Sequence, residues 1–590
     1  MNPLPVRILP MGEHAVLVEV DSLDAAVALR ARLEATRPPG VVDLVPAART
    51  VLVRVDPARL PLAAVRSWVA GATTDAAAAA TADAPLVELE VGYDGADLAE
   101  TAELLGLSAD ELVRAHAAAE WTVAFTGFAP GFGYLISPDW TFDVPRLPSP
   151  RTRVPRGAVG LAAGFTGAYP RDTPGGWRLI GTTSAALFDP DAASPVLLSP
   201  GTRVRFRPVA PGGRRAAAPS GGHTAAAPSG SRSSAAPSGS HAAAAPPGGR
   251  RAAAPSGGRA AAAPSGGRRA AAPSDSRTAT APSDNETAAA PSGSARAPRP
   301  GAPGLQVLES GLLATVQDLG RAGSASWGVA RSGALDRGAL RTANRLLGNP
   351  EDAAAVEVTM GAFRAVALRD LWFAVTGAWG PIRLDGRERD PYEAHPWPAG
   401  AQLQLDWFDA GARAYLAVRG GIDAAPVLGS RASDVLAGIG RPPLRAGDAL
   451  PVDAEPADAI PVAVVAPWGA PHDDEIEVAL APGPRADWFA ASALSVLYEA
   501  VWTVTTDADR VGMRLDGPAL ARTRTDELPS EGMVPGALQV PPSGRPTILL
   551  ADGPVTGGYP VLAVATDAAL DLLAQARPGT RVRFRHARPA

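Results

Sequence analysis

The chain has 590 residues, a formal net charge of −5, 46% hydrophobic and 19% charged residues, and no cysteine. Lysine is absent too, so all 55 basic residues are arginine. These absences exclude disulfides, zinc–thiolate sites, thiol nucleophiles, Schiff-base chemistry, Walker-type phosphate loops and a protein-kinase core. Aromatic residues make up only 5% and no basic stripe interleaves with them, which argues against nucleic acid as a partner. No apolar run nears the ~18 residues of a membrane span. The N-terminus, MNPLPVRILPMGEH, lacks a signal-peptide pattern, so a soluble cytoplasmic protein is expected.

Residues 1–84 alternate short strands and helices. AVLVEV (15–20) and TVLVRV (50–55) have the pattern of half-buried strands, with VVDLV (41–45) as a third. Asp21 or Ser22 caps a first helix running through about Arg32, and a second spans 57–70 with Pro57 in its first turn. This β-α-β-β-α order predicts a ferredoxin-like sandwich. An Ala/Thr stretch at 71–83 follows.

Over residues 85–210 the texture changes. Ser108 and Glu111 have capping-box spacing before a short helix. Brief apolar runs broken by PGFG, PRG, PGG and PGT then predict a β-barrel or sandwich. Residues 211–303 repeat AAAPSGG-like units, with prolines at 219, 228, 237, 246, 255, 264, 273, 282 and 291. The unit has no large apolar residue to build a core, so a long disordered linker is expected.

The second half, divided at 304–455 and 456–590, echoes the first. PGTRVRF occurs at 200–206 and again at 578–584, preceded in the same order by PGGWRLIG (174–181) and TGGYPVLA (556–563), and by VPRGAVG (154–160) and VPGALQV (534–540). The order predicts one barrel module present at least twice. LRAGDAL (444–450) suggests a third barrel end. The fold class is therefore α+β and β-rich.

Few side chains are left for chemistry. His116 falls on a helix face and reads as a core histidine, and His472 as part of a solvated loop. TGFAPGFGYL (126–135) is either a hydrophobic hairpin tip or a binding wall. PRTRVPRG clusters Arg151, Arg153 and Arg156, which suit a carboxylate or phosphate or else decorate a strand edge. TVQDLGRAG combines Gln317, Asp318 and Arg321, and SGALDRGAL adds Asp336. DGPVTGGYP supplies Asp552, Thr556 and glycine N–H groups suited to an anion nest. RTANRLLGNP (341–350) reads as a helix ending at Gly348.

Together these motifs carry a resemblance. GFAPGFGYL, PRTRVPRGAVG, TGAYPRDTPGGWRLIG and LFDP, extended upstream by GVVDLVPAARTVLVRVDP, resemble the B subunit of 5-oxoprolinase. That family overlaps the sporulation-kinase inhibitors and the "allophanate hydrolase subunit 1" carboxyltransferase domains. TVQDLGRAG, SGALDRGALRTANRLLGN, AYLAVRGGID, LGSRASD, DRVGMRLDGP, GALQVPPSGRP and TGGYP resemble the C subunit, the inhibitor-antagonist or "subunit 2" family. The resemblance implies a B–C fusion whose barrels are cyclophilin-like. It also implies ATP-dependent opening of 5-oxoproline to glutamate, with ATP and Mg2+ as cofactors and, as partner, a separate 5-oxoprolinase A subunit. The alternatives it leaves are a regulator that inhibits a histidine kinase and a carboxyltransferase-type domain of a biotin-dependent enzyme.

On this resemblance Asp318, Asp336 and Asp552 are candidate catalytic carboxylates for water or magnesium. Arg153, Tyr169, Gly175, Gly176, Gln317, Arg321, Gly557 and Gly558 are candidate substrate and anion contacts. The metal ligands stay open. The chain departs from the family pattern at Phe165-Thr166-Gly167, at Pro554-Val555-Thr556, at Gly133 and at Thr182-Thr183, losing two glutamines, a proline and an arginine.

Overall fold

The computed structural model describes residues 6–74, 85–209, 302–462, 466, 469–472 and 474–588. Residues 211–301 of the expected linker, residues 75–84 and Asp473 lie outside the described residues, whereas Pro303, expected to end the linker, opens the strand Pro303–Ser310. Among the described residues no helix is long and apolar enough to cross a membrane.

The N-terminal sheet has four antiparallel strands in the order Arg7–Pro10, Ala15–Glu19, Thr50–Val55, Val41–Pro46. The first of these is an edge strand with a neighbour on one side only, and its proline-flanked sequence carries no strand period. Helix α1 (Leu23–Ala35) is capped by Ser22, whose hydroxyl accepts the Ala25 N–H at 3.1 Å. Helix α2 (Leu62–Thr74) starts later than its sequence suggests. Asp56 closes a turn by accepting the N–H groups of Arg59 and Leu60 at 3.0 and 2.8 Å. Pro61, with no N–H to give, then opens the helix by accepting from Val65.

One sheet face packs Val16, Val18, Val51 and Val53 on Leu29, Leu33, Val65 and Val69 of the two helices. The other face is buried too, which corrects the expectation of half-buried strands. Leu17, Val45 and Leu52 pack on Met533, Val534, Val561 and Val564 from the far end of the chain. Each such leucine contributes roughly 1.5–3 kcal/mol when fully buried. Gly532 permits the approach, since a Cβ there would sit 2.5 Å from the Leu52 Cβ.

The next unit is a seven-stranded sheet in the order Arg178–Thr182, Ala158–Ala162, Phe165–Ala168, Gly133–Ile136, Trp121–Thr126, Arg203–Pro208, Leu86–Val91. Its edges meet at a bridge between Gly92 and Thr182, making it barrel-like. Helices α3 (Leu98–Leu104) and α4 (Ala109–Ala118) lie between its first two strands in sequence, and α4 carries the Ser108–Glu111 capping box. His116 is fully buried, bonded to the Tyr93 hydroxyl at 2.8 Å and the Thr166 hydroxyl at 2.9 Å, and burial pulls its pKa down to about 3. It is a core histidine.

Residues 475–586 form a closed seven-stranded barrel, with α6 (Ala491–Glu499) and α7 (Asp567–Gln575) between its strands. The repeated heptapeptides are its last strand and that of the preceding sheet. Arg203–Pro208 pairs parallel to Leu86–Val91 and antiparallel to Trp121, while Arg581–His586 pairs parallel to Glu475–Leu480 and antiparallel to Trp502. Trp121 and Trp502 each donate an indole N–H to the carbonyl five residues earlier, at 3.0 and 3.1 Å. The sequence echo is thus a three-dimensional one.

Between them, residues 303–452 form antiparallel sheets of six and five strands around one core that includes Phe363, Phe373, Trp397 and Leu416. The LRAGDAL turn shares a left-handed glycine with the two heptapeptides: φ is 93° at Gly447, 92° at Gly201 and 95° at Gly579. The strand it leads into, Ala449–Pro451, pairs antiparallel with Pro303–Ser310. Only the turn is shared, because the parallel crossover that defines the other two units is missing. Helix α5 (Arg337–Leu346) follows the loop 318–336 and ends before Gly348, whose φ is 68°. Asn344 and Asn349 hold this end, with Nδ2 atoms bonded to the Ala353 and Val418 carbonyls.

Candidate functional site

Arg510 follows the strand Val501–Ala508 and is fully buried. Its guanidinium grips Asp552 with two bonds of 3.0 Å, reaches Glu357 at 2.5 Å and donates to the Gly333 carbonyl at 2.7 Å. Burial opposes its charge, but Glu357 and Asp552 outweigh burial and hold the pKa above the ordinary arginine value. Asp552 also accepts the Ser332 hydroxyl at 2.6 Å and the Val435 N–H at 3.1 Å. The second Glu357 oxygen accepts the Tyr415 hydroxyl at 2.8 Å and the Leu335 N–H at 3.1 Å. Tyr415 in turn accepts the Asp336 N–H at 2.8 Å. Asp336 caps α5 through Ala339 and accepts the Gln575 amide from the end of α7, each at 2.7 Å. Burial, reinforced by Asp571, pushes Asp336 up to about 7.

A second cluster adjoins this one where the strand Leu313–Gln317 ends. Asp318 accepts the Gly320 N–H, the Ser430 hydroxyl and the Arg431 N–H at 2.6–2.7 Å, tying the loops 318–323 and 428–440 together. Arg321 donates to the Ala432 carbonyl, while its Nη1 is buried with no partner among the described residues. The same holds for Gln317 Oε1 and for Asp434 Oδ2, the other Asp434 oxygen accepting the Ala437 N–H at 2.7 Å. Burial and the Asp552 charge push Asp434 up to about 6, with Arg321 acting in the opposite sense. Arg171 arrives from the N-terminal half, donating to the Leu436 carbonyl. Burial lowers its pKa while Asp434 opposes that. Two orphan acceptors, Gln317 Oε1 and Asp434 Oδ2, and two orphan donors, Arg321 Nη1 and Arg171 Nε, therefore gather where the halves meet.

The N-terminal candidates lie apart. Arg153 is exposed and bonded to Asp172 at 2.8 Å, and Asp172 also accepts the Arg156 N–H. Of the three clustered arginines, Arg151 is the shielded one, paired with Asp97 at 2.6 Å. Tyr169 is buried with its ring 5.0 Å from that of Phe132, and burial pushes its hydroxyl up to about 12. Gly175 is required beneath it, since a Cβ there would sit 2.6 Å from the Tyr169 oxygen. The Gly176 carbonyl accepts the Leu147 N–H at 2.9 Å.

The hairpin 126–135 faces the other half. Gly131 donates to the Trp327 carbonyl at 3.0 Å, Phe128 N–H to the Thr556 hydroxyl at 3.3 Å, and the Thr126 hydroxyl to the Ser326 carbonyl. A Cβ on Gly127 would collide with Thr556 at 2.2 Å. Gly557 pairs with Glu531 in the short ladder beside that contact, and Gly558 follows it. One departure from the family pattern sits here as well: Phe165 joins an aromatic cluster with Phe125 and Tyr134.

The structure thus brings together Gln317, Asp318, Arg321 and Asp552, and links Asp336 to them through Tyr415 and Glu357. It does not bring Arg153, Tyr169, Gly175, Gly176, Gly557 or Gly558 into that cluster. The oxygens of Asp318, Asp336 and Asp552 already accept N–H or O–H donors, so these carboxylates do not fit Mg2+. Among the described residues no group of three or more His, Asp or Glu is placed to hold a metal ion. Sequence reasoning missed Arg510, Glu357, Asp434 and Arg171. Glu357 carried a signal, a lone acid within the apolar strand AVEVT, and the other three stood inside the motifs DRVGMRLDGP, LGSRASD and TGAYPRDTPGG.

Comparison with known proteins agrees with this two-part construction. Residues 6–198 match the family described as "Carboxyltransferase domain, subdomain C and D", and residues 327–586 match "Carboxyltransferase domain, subdomain A and B". The chain is 38% identical over 285 residues to the C subunit of 5-oxoprolinase from Escherichia coli K12, spanning 48% of this chain and 90% of that protein. It is 39% identical over 222 residues to the B subunit of 5-oxoprolinase from Escherichia coli O157:H7, spanning 35% of this chain and 97% of that protein. The crystal structure of TTHA0988 superposes with a TM-score of 0.71 at 32% identity, covering 98% of this chain and 100% of that one. The chain belongs to the carboxyltransferase-domain family of 5-oxoprolinase subunits, fusing an N-terminal half like the B subunit to a C-terminal half like the C subunit.

Proposed function

We propose that this chain is the B–C component of an ATP-dependent 5-oxoprolinase that opens 5-oxoproline to glutamate together with a separate A subunit in the cytoplasm. The observation that carries the reading is coverage: successive parts of one chain span 97% of one B subunit, then 90% of one C subunit. In this reading residues 1–84 are a ferredoxin-like domain whose closing edge strand has moved to the N-terminus, and 85–210 are the cyclophilin-like barrel of the B half. Residues 304–455 and 456–590 are the two barrels of the C half, and 211–303 join the halves.

The chemistry of the buried cluster supports the reading. A lactam offers an N–H, a carbonyl oxygen and, in 5-oxoproline, a carboxylate. Asp434 Oδ2 and Gln317 Oε1 are acceptors without partners, and Arg321 Nη1 is a donor without one. A buried polar group left unpaired costs about 1–3 kcal/mol, which a complementary ligand recovers. These atoms are enclosed, so entry requires the loop 428–440 to move. Gly429, Gly438 and Gly440, all at positive φ, supply its pivots.

An unstrained lactam resists hydrolysis. Phosphorylation of the carbonyl oxygen by ATP would activate it. One water adds to the carbon, the ring C–N bond breaks to leave an acyl phosphate on the opened chain, and a second water hydrolyses that to glutamate and phosphate. Asp434, held near 6, is placed to pass a proton to the departing ring nitrogen. With no lysine in the chain and carboxylates that do not fit Mg2+, the phosphoryl-transfer machinery falls to the A subunit.

The test is glutamate and phosphate release from 5-oxoproline and ATP by the full chain, with and without a 5-oxoprolinase A subunit. Equimolar release only when that partner is present, and its loss in Asp434→Asn, is the expected result. No release in its presence overturns the reading. The family description, a carboxyltransferase domain, favours one rival: the carboxyltransferase-type domain of a biotin-dependent enzyme. Carboxyl transfer from carboxybiotin by the same preparation would establish it instead.

A further inference from the structure

A cleft of about 380 Å³ opens between the N-terminal sheet and the C-terminal half, away from the buried cluster. His14 and Arg54 line it from the sheet, Arg337 and Arg341 from one face of α5, and Arg331 from the loop before that helix. Most of these cations are answered. Arg337 and His14 share Asp567 at 3.4 and 3.3 Å, Arg54 has Asp43 at 3.4 Å, and Arg341 has Glu351 at 3.6 Å. The other acids on the walls are engaged as well, Glu13 by the Asp567 N–H and Asp56 by the Ala58 N–H and Arg59.

Arg331 is the exception. It makes no side-chain hydrogen bond or ion pair with any described residue, and its Nε is buried with no partner. Burial, then the neighbouring Arg337 and Arg54, pull its pKa down to about 9. A guanidinium does not shed its proton in a protein. The unfavourable charge is therefore relieved by bringing an anion to it, and the planar fork suits a two-oxygen partner.

We propose that this cleft is a binding site for a compact oxyanion, a carboxylate or a phosphate, received by Arg331 with Arg337, Arg341 and Arg54 around it. The site needs both halves, because His14 and Arg54 come from one and the three remaining arginines from the other. It stands independently of the oxoprolinase reading, which rests on Asp434, Arg321 and Gln317. The two are adjacent through the backbone, since Ser332, next to Arg331, turns the other way and donates to Asp552.

The test is calorimetric titration of the full chain with inorganic phosphate and with succinate, at ionic strength held constant with sodium chloride. Saturable binding of either is expected, and which of them binds identifies the anion class. Arg331→Gln should weaken it at least about tenfold, Arg331→Lys partly restore it, and Asp434→Asn leave it unchanged. Should Arg331→Gln fail to fold, Arg341→Gln on the rim replaces it, with weaker binding expected. Absence of saturable binding by both anions overturns the proposal, as does an unchanged Kd in both the Arg331→Gln and Arg341→Gln variants.

Discussion

Arg510 and Arg331 are two shielded guanidiniums on either side of one short stretch of backbone, and they are opposites. Arg510 bonds to the Gly333 carbonyl and to both Glu357 and Asp552, so its charge is held more firmly than in water. Arg331, two residues before Gly333, is bonded to no carboxylate among the described residues, and burial with Arg337 and Arg54 outweighs the nearby Asp567 and disfavours its charge. Both are drawn out of bulk water, Arg510 completely and Arg331 in large part. What sets their charges apart is the supply of acceptors, and that supply separates a structural charge from one that awaits a ligand. In a chain whose only permanent cation is arginine, this distinction does the sorting that residue type does elsewhere.

The comparison breaks most visibly at Arg510. Arg510→Met leaves Glu357 and Asp552 buried without their cation, and a loss of about 3–5 kcal/mol is expected in urea denaturation. A loss below about 1 kcal/mol would mean that the network contributes nothing beyond filling space. Asp336, at the far end of the same chain of bonds, gives the next effect. Its carboxyl titrates near 7 when folded against an ordinary value of 3.8, so between those pH values the folded state holds a proton that the unfolded state has lost. Its contribution therefore makes stability fall as pH rises from about 4 to 7, at roughly 1.4 kcal/mol for each pH unit crossed. His116 acts in the opposite sense, losing stability as pH falls from 6.5 towards 3. The difference between wild type and Asp336→Asn isolates the aspartate, and a constant difference across pH 4–7 would refute the assignment.

Local features of the fold were legible because local chemistry determines them. Ser22, the Ser108–Glu111 box and the left-handed glycines of the PGT turns act within a few residues, and PGTRVRF recurs because the same strand is built twice. What the sequence hid was whatever depends on distant contacts. Ala15–Val18 is buried on both faces only because Val561 and Val564 cover the second. The true start of α2 turned on the competition between Pro57 and Pro61. The site followed the same division. Gln317, Asp318, Arg321 and Asp552 could be chosen as polar residues in glycine-rich turns, and they do cluster. Arg153 looked equivalent, yet Asp172, nineteen residues on, answers it at the surface. Arg510 and Arg331 could not be told apart by composition, since the difference lies in Glu357 and Asp552, 153 and 42 residues away.

The smallest effect expected is also the one that sharpens the contrast. In a low-salt buffer free of phosphate and carboxylates, Arg331→Gln removes an uncompensated charge and breaks no hydrogen bond to a described residue. Its stability in urea denaturation should therefore match or exceed that of wild type by about 1 kcal/mol, where Arg510→Met loses several. Adding the anion that the cleft binds should reverse the order, because a ligand that binds only the folded state stabilises it in proportion to the logarithm of its concentration. Wild type should gain and Arg331→Gln should not. If Arg331→Gln instead falls by more than about 1 kcal/mol without added anion, Arg331 is already satisfied by the fold, and the two arginines differ in geometry rather than in role.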